Sequence, residues 1–146
     1  MKFLLTLLLI SFMSPQATWL TNMQQAKSEA AQDHKYILLN FSGSDWCLPC
    51  IRMHKEIFSS SAFEQYADKN LVLVSADFPR LHKNQLTKEQ TAQNEMLADQ
   101  YNHDGKFPLT VLLDEKGNVL KSWDGFPNES PEKFTEEINS VVHATY

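Results

Sequence analysis

The sequence predicts an α/β fold, a central mixed β-sheet with helices on both faces. Helix-type and strand-type segments alternate in the order helix, strand, helix, strand, helix, strand, strand, helix, the pattern of a sheet sandwiched between helical layers. Residues 36–41 and 71–76 are short, largely apolar runs, as in parallel strands buried on both faces. Between them lie roughly thirty residues of mostly helical chain, enough for a right-handed crossover. Residues 109–113 and 119–123 flank the turn residues 114–118 and read as an antiparallel hairpin.

Taken in order, residues 19–33 read as an opening helix. Thr21 or Asn22 caps it, and Met23, Ala26 and Ala30 form a loose apolar face. The polar break Asp33, His34 and Lys35 precedes the first strand, after which residues 42–45 form a loop. A helix is expected from Cys47 to about Ser59, with Ile51, Ile57 and Phe58 inward and Arg52, His54, Lys55 and Glu56 outward. Ser60 or Ser61 caps a further turn or two through Phe63, Tyr66 and Ala67. After the second strand, residues 78–85 carry Pro79 and mixed polarity and read as a loop. Thr87 with Gln90 forms a capping box for a helix ending at Tyr101, and Gly105 supplies a left-handed stop. The last helix has Ser130 as its cap and Pro131 at its first position. Phe134, Ile138 and Val141 or Val142 form its inner face. No repeat, linker or low-complexity stretch interrupts this series.

Length and composition set bounds. A chain of 146 residues corresponds to one domain beyond any processed segment. A formal charge of −5 argues against nucleic acid, whose binders carry basic stripes. Two cysteines are too few for a disulfide scaffold. The amino terminus reads as a secretory signal: Lys2, then an apolar run over residues 3–13, then small residues near a cut at Ser14 and Ala17. That run is too short for a comfortable membrane span. A cleaved signal peptide over residues 1–18 and a mature domain over 19–146 are expected, which places the protein in the periplasm or outside the cell. There disulfides persist and require management.

Function concentrates at Cys47 and Cys50. A C-x-x-C next to a β-α-β pattern reads as a redox motif. At the first turn of a helix, unpaired N–H groups and the helix dipole both favour negative charge on Cys47. The thiolate they favour is the nucleophile. Cys50, one turn further in, is placed to close a small disulfide and is expected to be the more shielded of the pair. Pro49 suits the first turn because it has no N–H to leave unpaired. Cys47, exposed and partly ionised, attacks a substrate disulfide, and Cys50 resolves the mixed disulfide. Trp46 either shields the dithiol and offers substrates an apolar surface, or is structural.

Through residues 36–42, 46–50, 106–114 and 117–120 the chain resembles the thioredoxin superfamily, and within it the secreted bacterial thioredoxin-like proteins. The likeness covers nearly all of the chain after the first twenty or so residues. It implies a thioredoxin-like fold, no cofactor, disulfide-containing protein substrates, a membrane or periplasmic electron donor, and a monomer. It also implies that Pro108 is cis and packs beside the dithiol, exposing backbone to an extended substrate, and that Phe107 helps select partners. Such domains usually begin with a strand before the first helix, for which little chain remains here. Where thioredoxins carry a buried acid that assists proton transfer, this sequence has Asn40, which cannot act as a general base. Asp45 is a more exposed substitute. Leu48 and Pro49 lack the histidine of strongly oxidising relatives, which favours reduction over oxidation.

Two other classes compete. A copper or zinc carrier would use Cys47, Cys50 and His54, with His82 or His103 completing four ligands. A thioredoxin-like binding module would carry the dithiol incidentally. Outside these roles His54 reads as a surface helix residue that tunes the thiolate.

Overall fold

The computed structural model describes residues 17–144. Of the expected signal peptide, residues 1–16 therefore lie outside the described residues. The described chain forms a five-stranded sheet in the order β1-β3-β2-β4-β5. The strands are β1 (Trp19–Leu20), β2 (Tyr36–Ser42), β3 (Leu71–Asp77), β4 (Leu109–Leu113) and β5 (Val119–Asp124). The first three run parallel, while β4 is antiparallel to β2 and β5 antiparallel to β4. The helices are α1 (Met23–Asp33), α2 (Leu48–Arg52), which continues as a π-helical segment (Met53–Phe58), α3 (Ser61–Asn70), α4 (Lys88–Tyr101) and α5 (Pro131–Ala144).

Strand alternation sorts the core into two layers. Ile37, Leu39 and Phe41 of β2 join Val72, Val74, Leu109, Val111 and Leu113 against Met23, Ala26 and Ala30 of α1 and Leu97 of α4. Leu38 joins Leu71, Leu73 and Leu112 against Met53, Ile57 and Phe58, then Phe63 of α3 and Phe134 and Ile138 of α5. Central β2 is thus apolar on both faces, as its sequence requires. The exception is Asn40, which shares the face of Leu38 and is 7% exposed.

Local signals place most helix ends. Ser60 Oγ accepts from the Phe63 N–H at 3.2 Å and Ser130 Oγ from the Lys133 N–H at 3.2 Å. The expected capping box at α4 is half made. Thr87 Oγ1 accepts from the Gln90 N–H at 3.1 Å, but the Gln90 side chain turns to Thr21 O and Asn94 Oδ1 instead of reaching back.

Three expectations change. The opening helix starts at Met23, capped by Asn22, and Trp19–Leu20 form the short first strand. Its partner is β3, in the register Trp19 with Leu73 and Leu20 with Val74. That pairing is long-range, so no local pattern announces it. The helix after Cys47 widens at Met53, where the Ser59 N–H bonds back five residues to His54 O at 3.0 Å. Ile51, expected inward, is 41% exposed. Cys50, Met53 and Ile57 hold the inner face at spacings of three and four, and Ile51 is about 100° off it.

Phe134 is fully buried and meets Trp123 edge-on at 5.3 Å between ring centres. Phe134→Ala should lower stability by about 3–5 kcal/mol, read as a fall in the urea midpoint. A loss well under 1 kcal/mol would contradict this packing.

Candidate active site

The site grows from the carboxyl end of central β2. The strand ends at Ser42, and the chain turns through residues 43–46 into α2. The Cys47 N–H donates to Gly43 O at 2.9 Å, and Cys47 O accepts the first helical bond, from the Ile51 N–H, at 3.0 Å. Cys47 is therefore the N-cap, and its Sγ accepts from the Cys50 N–H at 3.3 Å. A carboxylate or hydroxyl usually fills that acceptor position; here a sulfur does. A negative charge on this sulfur would be favoured by that N–H and by the helix dipole.

Cys47 and Cys50 are joined by a disulfide, with S–S 2.18 Å and Cα–Cα 5.2 Å. The expected contrast between an open Cys47 and a shielded Cys50 is absent, since the two are 5% and 3% exposed. Leu48 and Pro49 between them face solvent instead, Leu48 at 72% exposure.

Strand register brings the proline-bearing segment to the same end of the sheet. Phe41 pairs with Leu109, so the chain entering β4 begins beside the chain leaving β2. The Phe107–Pro108 peptide is cis, and Pro108 is buried. Phe107 meets Trp46 edge-on at 5.4 Å and Phe78 at 5.5 Å. The structure thus brings Trp46, Cys47, Cys50, Phe107 and Pro108 to one end of the sheet.

Behind the site, Asn40 Nδ2 donates to Thr110 Oγ1 at 3.0 Å and to Leu109 O at 3.4 Å, and the Thr110 hydroxyl approaches Met53 Sδ at 3.9 Å. The inner lining is a neutral amide, a hydroxyl and a thioether. Asp45 does not face this interior. Its carboxylate accepts from the N–H groups of Arg80 and Leu81, each at 2.9 Å, and from Asn84 Nδ2 at 3.0 Å. The Arg80 N–H foremost, with Asn84 and Leu81 assisting, holds the Asp45 carboxyl below its usual value. Asp45 is thus a fastener for the 80–84 loop.

Asp45 has company in that role, and sequence reasoning missed it. Asp77 accepts from the Ser44 N–H at 2.9 Å and from the Ser44 hydroxyl at 2.5 Å. The Trp46 indole N–H donates to Phe78 O at 2.7 Å, and the Arg80 guanidinium lies over the Trp46 ring at 3.8 Å. A Cβ on Gly43 would stand 2.3 Å from Trp46 Cε2, so only glycine fits beneath the indole. The partners are more than thirty residues apart in sequence, and the one clue was the length of the loop at residues 78–85.

The metal-carrier arrangement is not assembled. The His54 ring sits 6.2 Å from that of Trp19 and 6.4 Å from that of Phe58. Among the described residues, no group of three or more His, Cys, Asp or Glu side chains is placed to hold a metal ion.

Fold and site together define a C-x-x-C disulfide protein built on a mixed α/β sheet. The chain belongs to the thioredoxin-like family, whose domain model matches residues 23–141. It is 43% identical over 118 residues to the disulfide bond reductase DsbH of Chlamydia pneumoniae, covering 81% of this chain and 69% of that protein. It is 23% identical over 131 residues to the thioredoxin-related protein DsbJ of the same organism, covering 90% of this chain but 37% of the relative. A solved DsbH oxidoreductase superposes with a TM-score of 0.80 at 34% identity, over 89% of this chain and 87% of that one. The expected family and fold are borne out.

Two outcomes follow. Gly43→Ala should displace the Trp46 indole and destabilise the protein by about 1–3 kcal/mol, with a lowered urea midpoint and a shifted Trp46 indole N–H resonance. An unchanged resonance would refute the contact. Because the folded Asp45 carboxyl sits below 3.8, its fastening is fully present above that value and is lost as pH falls through the lower, folded one. The Arg80 and Leu81 amide resonances should therefore titrate with a midpoint under 3.8, and Asp45→Asn should abolish the step. A midpoint at or above the ordinary value would contradict it.

Proposed function

We propose that this protein is an exported thiol–disulfide oxidoreductase that reduces protein disulfides, with Cys47 as nucleophile and Cys50 as resolving residue. The observation that carries the reading is the Cys47–Cys50 bond with Cys47 Sγ in the N-cap position of α2. In the reduced protein the Cys47 thiolate attacks one sulfur of a substrate disulfide. A Cys47–substrate disulfide forms, and the departing substrate sulfur takes up a proton. Cys50 then loses its proton and attacks Cys47 Sγ. The second substrate thiol is released and the internal disulfide closes. The substrate gains two electrons and two protons; the protein supplies both electrons and the Cys50 proton, and solvent supplies the other proton. A membrane or periplasmic thiol donor restores the dithiol.

Trp46, Phe107 and Pro108 form the substrate-binding surface in this reading. Its support is their placement at the dithiol end of the sheet and the apolar character of the neighbouring exposed Leu48 and Ile51. The name of the 43%-identical relative, a disulfide bond reductase, supports the direction of electron flow, as does the absence of histidine between the cysteines. Residues 1–18 act as a cleaved signal peptide, residues 19–146 form the mature monomer, and the site of action is the periplasm.

The test is trapping. Cys50→Ser should accumulate mixed disulfides through Cys47 that a reductant releases, and Cys47→Ser should accumulate none. The Cys47–Cys50 couple should equilibrate with thiol buffers near the reducing end of the family range, about −270 mV, and not near about −120 mV. A potential at the oxidising end would reverse the direction, and absence of any trapped species would overturn the exchange mechanism.

A further inference from the structure

The loop that fastens the site also carries an unpaired cation to its rim. Arg80 is exposed, and its guanidinium lies 3.8 Å from the centre of the Trp46 ring, one residue before Cys47. Its backbone is fixed, since the Arg80 N–H donates to Asp45 at 2.9 Å. Among the described residues, its side chain makes no ion pair. The two nearby acids bond to neutral donors and not to its guanidinium. Asp45 accepts from Arg80 N–H, Leu81 N–H and Asn84 Nδ2, and Asp77 accepts from Ser44 and the Phe78 N–H. Between residues 78 and 90 the chain carries Arg80, Lys83 and Lys88 against a lone acid, Glu89, although the whole protein has a formal charge of −5. With Asp45 and Asp77 bonded to the same loop its formal charges balance, and what marks this rim is the exposed Arg80 guanidinium over Trp46.

We propose that Arg80 is a specificity-determining residue: held over Trp46, it selects disulfide substrates that carry a carboxylate close to the reacting cysteine. The proposal rests on the exchange reaction proposed above. A guanidinium placed over an aromatic face keeps its in-plane N–H donors free, and their fork matches a carboxylate. The indole supplies the platform and holds the cation near the dithiol through attraction to its ring face. An acidic substrate segment reaching Cys47 across Trp46 would meet this fork, and a basic segment would be repelled.

The experiment uses the reduced mature protein and three peptides with the same internal disulfide, flanked by Glu, Gln or Lys. Wild-type protein should reduce them in the order Glu, Gln, Lys. The ratio of the Glu to the Gln second-order rate constant should fall about two- to fivefold in Arg80→Gln, the range of an exposed ion pair. Arg80→Glu should reverse the order, Arg80→Lys should keep most of the preference, and added salt should flatten it. These readouts separate recognition from support of Trp46, which would slow all three peptides alike. Equal slowing in Arg80→Gln, or an unchanged ratio, would overturn the proposal. Equal wild-type rates on all three peptides would overturn it while leaving disulfide exchange standing. Reduction of none of the three would overturn both.

Discussion

The site depends on the parallel pairing of β2 with β3. Seven residues of each strand are in register, from Tyr36 with Leu71 to Ser42 with Asp77. Because parallel strands end side by side, the loop leaving Ser42 and the loop leaving Asp77 emerge together. The first contact beyond the ladder is the Phe78 N–H donating to Ser42 O at 2.8 Å. From that junction the two loops run in contact, joined by Ser44 with Asp77, Asp45 with residues 80–84, and Trp46 with Phe78. Without the register, Trp46 would have neither its hydrogen-bond acceptor nor the Arg80 guanidinium. Antiparallel β4 delivers Phe107 and Pro108 to the same end from the other side of β2. A central strand flanked by one parallel and one antiparallel neighbour thus gathers three segments at one end.

The polar contacts that Asn40 makes on the α2 side of the sheet are all with neutral groups. Asn40 faces the α2 layer because alternation from Leu38 puts it there, and its amide is tied to Thr110 Oγ1 and Leu109 O. An amide neither gains nor loses a proton near neutral pH, so Asn40 cannot serve as a general base. Stabilisation of a sulfur anion at Cys47 falls to the N-cap geometry and the Cys50 N–H. The carboxylates of this region, Asp45 and Asp77, hold loops instead. The carboxyl charge at this end of the sheet therefore lies in the fastened loops.

How much was legible follows from range. Ser60, Thr87 and Ser130 announced their helices because a cap acts within three residues. The apolar runs announced β2, β3 and β4 because burial on both faces leaves no room for polar side chains. Cys47 and Cys50 were legible because the spacing matches one helical turn. Strand β1 was not, since two residues acquire strand geometry only through Leu73 and Val74 of β3. Ile51 was misplaced because its apolar character outweighed its angular position, which Cys50, Met53 and Ile57 fix. The exposure of Cys47 was overestimated because a motif specifies neighbours along the chain and not the packing around them. The fastened loop was invisible, being made of side chain to backbone bonds across more than thirty residues.

The misplaced Ile51 bears on how the site meets partners. With Leu48 at 72% and Ile51 at 41% exposure, successive faces of the first turn present aliphatic groups to solvent beside the disulfide. Neither side chain is buried within the fold, so both are available for apolar contact with a partner. Apolar contact is undirected, so it favours many substrates about equally. Direction has to come from something polar at the edge, and the Arg80 guanidinium over Trp46 is such a feature at this end of the sheet. Two exposed aliphatic side chains beside a cation would let one protein reduce varied disulfides while ranking them by the residues beside the cysteine.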